Sequence, residues 1–255
     1  FQSLYLKSHY PLEFMVAVIN NFGGFYRTET YIHEARMAGA KIEAPCVNRG
    51  QFMTSIEGST IFLGFIHLKQ LERKLANRII KEREASGPFG GLQDFIKQTE
   101  VTLEQLSILI RIGAFRFTKK KKKVLLWEAY FILNTAHTIL GRNELFETEI
   151  EEYKLPPLQH TNLDDMLDEI DLLGFPLCSP FSLLKSSFRG EVFAQDLIKH
   201  IGKIVRMMGY YIHTKTIRTR RGDLMKFACF TDYYGKFFDT IHFPQILGKY
   251  PFKGH

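Results

Sequence analysis

The sequence predicts an α+β chain of several modules, a mainly helical N-terminal portion followed by a small, partial β-barrel. Three observations predict it. Leu68, Leu71, Leu75 and Ile79 recur every three to four positions, the period of one helix face. Residues 201–247 instead carry three β-type runs joined by Arg221-Gly222-Asp223 and Tyr234-Gly235-Lys236, where glycine supplies the positive φ that a hairpin needs. The sign of the charge also switches between segments. Lys and Arg stand against Asp and Glu as 5 to 5 in residues 1–60, 14 to 6 in 61–123, 5 to 13 in 124–200 and 10 to 3 in 201–255.

Taken in order, residues 1–40 read as helices broken at Tyr10-Pro11 and at Asn20 to Gly24, the last ending at Gly39, a natural left-handed cap. No start signal precedes Phe1, so the chain is expected to begin inside a helix of something larger. Phe52 to Ser55 and Thr60 to Leu63, around Glu57-Gly58-Ser59, read as a short hairpin. A helix is expected from Leu68 to Ala85, with Leu68, Leu71, Leu75 and Ile79 on its inner face and Gly87-Pro88 ending it. A short helix at Leu92 to Lys97 follows. Thr102 and Gln105 then read as a capping box opening a further helix. Together these short helices form a compact pair of helical hairpins. The run Lys119 to Lys123 precedes an apolar helix from Val124 to Phe131. Pro156-Pro157 and an acidic helix, with Leu163, Leu167 and Ile170 facing inward, read as a connector. In Met225 to Thr231 apolar and polar residues alternate, with Cys229 expected to point inward.

Composition narrows the function. The 255 residues are 45% hydrophobic and 24% charged, ordinary globular material of about two domains. Cys46, Cys178 and Cys229 are scattered, so neither a disulfide framework nor a structural zinc site is expected, and a reducing cytoplasm fits. No apolar run reaches the roughly 20 residues of a membrane span, and Phe1 to Lys7 is no secretory leader. His33-Glu34 has Met37, not a second imidazole, four residues after the histidine, so it is no zinc-protease helix. Gly23-Gly24 and Gly90-Gly91 lack the lysine and hydroxyl of a phosphate-binding loop. Asp164, Asp165, Asp168, Glu169 and Asp171 read as a solvated acidic face. No catalytic or metal-ligating residue is therefore expected here. Two basic modules around an acidic spacer suit a polyanion touched at two places, and the aromatic, cationic last segment suits base stacking with phosphate neutralisation. In that segment Lys215, Arg218, Arg220, Arg221 and Lys226 are the expected phosphate contacts and Tyr211 the expected stacking ring.

The ordered segments resemble the bacterial C-family replicative DNA polymerases, whose type is the DNA polymerase III alpha subunit. The resemblance rests on Phe1 to Met15, Tyr31 to Arg36, Pro45 to Asn48, Lys81 to Glu84 through Gly87-Pro88-Phe89 and Leu92 to Phe95, Leu109 to Phe115, and Leu173 to Leu177. It implies the end of the fingers region in residues 1–60 and a tandem helix-hairpin-helix DNA-binding unit in 61–123. An acidic helical connector in 124–200 and an incomplete OB-fold in 201–255 would follow. The family's activity is template-directed DNA synthesis with Mg²⁺ held by paired acidic residues that would precede Phe1, so this segment needs no cofactor of its own and is expected to be inactive alone. Implied partners are duplex and single-stranded template DNA, a sliding clamp and other replisome subunits, with no membrane, in the bacterial cytoplasm.

Two departures stand out. The family's first hairpin carries a Gly-hydrophobic-Gly loop so that backbone amides reach phosphate; here Gln70-Leu71-Glu72 stands there, leaving Lys69, Arg73 and Lys74 to make contact. The second hairpin, near Gln98 to Thr102, also lacks glycine. Arg111 and the run Lys119, Lys120, Lys121, Lys122 and Lys123 complete the expected duplex surface. In the clamp motif Arg142 replaces the usual Gln, leaving Leu145 and Phe146 as anchors. A non-enzymatic DNA-binding replication or repair accessory protein is the alternative reading, and an RNA-binding OB protein a third.

Overall fold

A computed structural model describes residues 2–139 and 161–251 of the chain. Three helices open it: α1 (Gln2–His9), α2 (Pro11–Asn20), whose first position is the proline, and α3 (Thr28–Met37). Proline suits that position because its missing N–H would have no helical partner there. Gly39 then leaves in the left-handed region at φ 96°.

The expected hairpin is present as β2 (Ser55–Glu57) and β3 (Thr60–Phe62). A third strand that the sequence reading missed, β1 (Lys41–Glu43), pairs parallel to β3 with Ile42 opposite Ile61. At three residues β1 is too short to show an alternation.

Four helices follow: α4 (Arg73–Ser86), α5 (Leu92–Thr99), α6 (Leu103–Arg111) and α7 (Lys122–Ile139). The expected helix start at Leu68 is corrected. Phe65 to His67 form a 3-10 turn, Gln70 takes the left-handed region at φ 65°, and the α-helix begins only at Arg73. A residue with positive φ cannot continue a right-handed helix. At the other end, α7 takes Lys122 and Lys123 into its first turn.

One continuous core holds these elements. It runs from Met15 and Ile19 through Ile61, Phe65, Ile79, Phe95, Leu109 and Phe115 to Leu172, Leu173 and Phe175. The last three belong to α8 (Asn162–Leu173) and its exit, where Gly174 caps the helix at φ 94°. A full capping box at Thr161 and Asp164 starts α8. Its inner face is Met166, Leu172 and Leu173, whereas Leu163 and Leu167, expected inside, are half exposed.

The expected capping box at Thr102 is only half made. The Thr102 hydroxyl accepts the Gln105 N–H, but the buried Gln105 side chain turns away to the turn before α4. There its Oε1 accepts the Glu72 N–H at 2.8 Å and its Nε2 donates to the Gln70 carbonyl at 3.0 Å. Gln105→Leu keeps the volume and strands both backbone groups, so unfolding should show a loss of about 1–2 kcal/mol. No measurable change would mean that water replaces the amide.

His67, behind the same turn, lies against the Thr54 hydroxyl at 2.9 Å. Burial pushes its imidazole down from 6.5 to about 4. A depressed value means stability that is full above pH 6.5 and lost as the pH falls toward 4. His67→Gln should therefore flatten the acid side of the stability profile by up to about 3 kcal/mol, measured as unfolding free energy between pH 7 and pH 4.

The C-terminal portion is an antiparallel meander of β4 (Tyr210–Arg218), β5 (Leu224–Thr231) and β6 (Phe237–His242), followed by α9 (Pro244–Lys249). The three strands form no closed barrel, as befits a partial OB-fold. The β4–β5 register slips between Tyr211 and His213, so Ile212 bulges. A bulge of this kind bends the strand. Ala228 is the buried centre of β5, which places Cys229 on the other face, contrary to its expected inward direction. The sheet is tied to the helical portion by Tyr210 Oη, which donates to Glu29 at 2.7 Å, and by His33 Nε2, which donates to the Gly235 carbonyl at 2.8 Å.

Candidate nucleic-acid interface

The turn before α4 is the first expected contact. Its backbone donors are already engaged: the Lys69 N–H goes to the Leu172 carbonyl at 2.8 Å and the Glu72 N–H to Gln105. Backbone cradling of an anion by these two amides is thereby removed, and side chains remain. Lys69 lies over Gly174, where a Cβ would come 3.4 Å from its Nζ. Arg73 sits 5.0 Å from the centre of the Phe52 ring, and Lys74 is exposed. Glu72 stands at the N-cap of α4 without a side-chain cap, and the first turn that follows has no acidic residue, so its orphan amides still favour an anion.

The loop at Gln98 to Thr102 has the opposite character. Glu100 occupies the left-handed region and lies 3.2 Å from Arg78, and the Thr102 hydroxyl fills the α6 cap. This turn is acidic and already capped. The two turns, equivalent in the sequence pattern, differ in what they offer a phosphate.

The five lysines divide sharply. Lys122 is paired with Asp165 and lies 3.9 Å from Asp168, Lys123 lies 3.5 Å from Asp164, and Lys120 lies 2.7 Å from Glu128. Arg111 holds Asp168 and Asp171 at 2.7 Å each. Only Lys119, itself left-handed at φ 59°, and Lys121 are exposed and make no ion pair among the described residues. The expectation of a solvated acidic face on α8 is corrected accordingly. That helix lies across the basic unit, its middle on Arg111 and Lys122 and its end beside Lys69, because its buried Leu172 and Leu173 anchor it there. Sequence spacing could not reveal this, since the paired groups are 41 to 60 residues apart.

On the sheet, register separates the expected cations. Lys215 is opposite Phe227, while Lys226 is opposite Thr216 on the other face. Arg218 Nη1 donates to the Gly222 carbonyl at 3.2 Å, and Arg220 and Arg221 are exposed at the hairpin tip. Beside that tip lies a cleft of about 440 Å³ between Arg220, Arg221 and the start of α9 at Pro244. Tyr211 is half-buried with its ring edge-on to Phe230 at 6.0 Å, and Phe230 stacks on Phe238 at 5.6 Å. The expected stacking ring thus belongs to an aromatic row within the sheet, and Phe227 is the more open ring. Leu145 and Phe146 lie outside the described residues. Among the described residues no group of three His, Cys, Asp or Glu side chains gathers as a metal site.

Residues 39–125 match the family model described as the helix-hairpin-helix motif. The chain is 27% identical over 252 residues to the DNA polymerase III subunit alpha of Aquifex aeolicus, covering 95% of this chain and 21% of that protein. It is 32% identical over 186 residues to the same subunit of Thermus aquaticus, covering 69% and 14%. The error-prone DNA polymerase of Mycobacterium tuberculosis is 30% identical over 132 residues, 51% of this chain and 12% of that protein. The chain thus spans about a fifth or less of these relatives' length.

Proposed function

Because the chain belongs to the DNA polymerase III alpha-subunit family, we propose that it is the DNA-holding segment of such a polymerase, gripping duplex backbone through its helical unit and single-stranded template through its sheet. One observation carries the reading. Once the cations that the α8 carboxylates hold are set aside, Lys69, Arg73 and Lys74 at the turn that opens α4, Lys119 and Lys121 before α7, and Lys215, Arg220 and Arg221 on the β4–β5 hairpin remain exposed. The α4 and α7 turns present lysines and arginines where helix N-termini already attract anions. These contacts address phosphate alone and carry no base identity.

The segment is proposed to supply grip and template capture, while the nucleotidyl transfer of the parent polymerase, with its Mg²⁺, depends on carboxylates elsewhere. Arg111, Lys122 and Lys123 serve in this reading to seat α8, and Lys119, Lys121, Arg73, Lys74, Lys215, Arg220 and Arg221 meet the backbone. Tethering to a sliding clamp through Leu145 and Phe146, and contact with other replisome subunits, remain part of the proposal. Affinities for duplexes of equal length and unrelated sequence should agree within about threefold. A preference above about tenfold for one of them would contradict backbone gripping and favour a sequence-reading accessory protein.

A further inference from the structure

We infer that the loop carrying Phe25 and Tyr26, which lies outside the sheet, joins the Lys215–Phe227 face of the sheet in one composite stacking surface for single-stranded nucleic acid. This rests on the template-binding part of the proposal above and adds residues to it that lie in no barrel strand. Phe25 is 73% exposed and Tyr26 39%. Both rings stand edge-on to His213, at centroid distances of 4.9 and 5.9 Å. His213 precedes Lys215 by two residues on β4, hence on the same face. Lys215 faces Phe227, which is 38% exposed and faces Ile241 in turn.

The loop is held in a conformation with a cost. Phe22 sits at φ 58° and Gly23 at φ 79°, and a Cβ on Gly23 would fall 2.6 Å from the Tyr26 carbonyl oxygen and 2.9 Å from the Tyr31 ring. These values belong to the cap that ends α2, where the Phe22 and Gly23 N–H groups donate to the Ile19 and Val18 carbonyls, both at 2.9 Å. The cap fixes the angle at which the loop carrying Phe25 leaves the helix.

Single exposed apolar residues are ordinary, but a contiguous set of rings beside a cation is not. The chemistry suits an unpaired strand: each ring can take the face of a base, and Lys215 and the exposed Arg27 can take phosphates. Asp239, in the His213 row, is a carboxylate beside the Cys229 thiol, whose hydrogen it accepts. It disfavours phosphate in that row, leaving the rings to bases. A duplex keeps its base faces stacked internally and cannot use such a platform.

Phe25→Ala in the full chain is the test, because an exposed ring has no core to lose. Affinity for an oligothymidylate single strand should fall about tenfold, that for duplex less than about twofold, with the salt dependence unchanged since no charge is removed. Phe25→Trp should bind as the parent does, and its added indole fluorescence should be quenched by the single strand but not by duplex. Unaltered single-strand binding by the alanine variant, an equal loss on duplex, or an unquenched tryptophan overturns the inference. If the parent chain binds the single strand with its salt dependence intact while Phe25→Ala does the same, only this inference falls. Failure of the parent to bind any single strand removes template capture and this surface together.

Discussion

Replacing Phe95 by alanine is expected to destabilise the chain by about 3–5 kcal/mol, among the largest effects available to one substitution. Phe95 is fully buried, with its ring edge-on to Phe89 and to Phe115, both at 5.0 Å. The three rings come from the loop before α5, from α5 itself and from the turn after α6. Truncation removes apolar burial, two aromatic pairs worth about 0.5–1.5 kcal/mol each, and the filling between three elements that cannot collapse together. Leu163→Ala, on a half-exposed residue that the period alone would have placed inside, should cost less than about 1 kcal/mol. Denaturant unfolding of the two variants checks the contrast. Equal losses would mean that the helical unit is packed otherwise.

The second large effect separates two kinds of cation within one basic run. Lys119→Gln with Lys121→Gln should leave stability within about 0.5 kcal/mol of the parent, since both side chains are exposed and make no ion pair among the described residues. It should lower duplex affinity severalfold and remove up to about 1.8 from the slope of log affinity against log salt. Arg111→Gln should do the reverse. It removes the 2.7 Å partner of both Asp168 and Asp171, leaving Asp168 only Lys122 at 3.9 Å, and loosens α8 by about 1–3 kcal/mol, with little change in the slope. Thermal unfolding and a salt titration of each variant give the four numbers. Should Arg111→Gln lose affinity and Lys119/Lys121 lose stability, the assignment of the two classes is inverted.

Much of this architecture was legible in the residues. Pro11, Gly39, Gly87 and Gly174 mark helix ends in the sequence because each has a backbone property that no neighbour shares, and the glycine turns of the C-terminal sheet were visible for the same reason. Left-handed Gln70 was not, since a glutamine gives no sign of positive φ; the bond from Gln105, thirty-five residues away, fixes it. The inner face of α8 was misread because Leu163 and Leu167 fit a helical period as well as Met166 does, and period says nothing about which face meets a neighbour. For the candidate interface, the sequence showed which residues carry charge but not which charges were already met. Arg111 and Lys122 look like Lys119 in a sequence, and only the docking of α8 by Leu172 and Leu173 tells them apart.

The most direct test of the central claim is a titration of the parent chain against duplex DNA of arbitrary sequence over a range of salt. Lys119, Lys121, Arg73, Lys74 and the hairpin arginines meeting phosphate should give a straight line of log affinity against log salt that falls by about 0.9 for each contact, and so by several units in all. An affinity that stays flat as salt rises would contradict the account, whatever the sequence resembles.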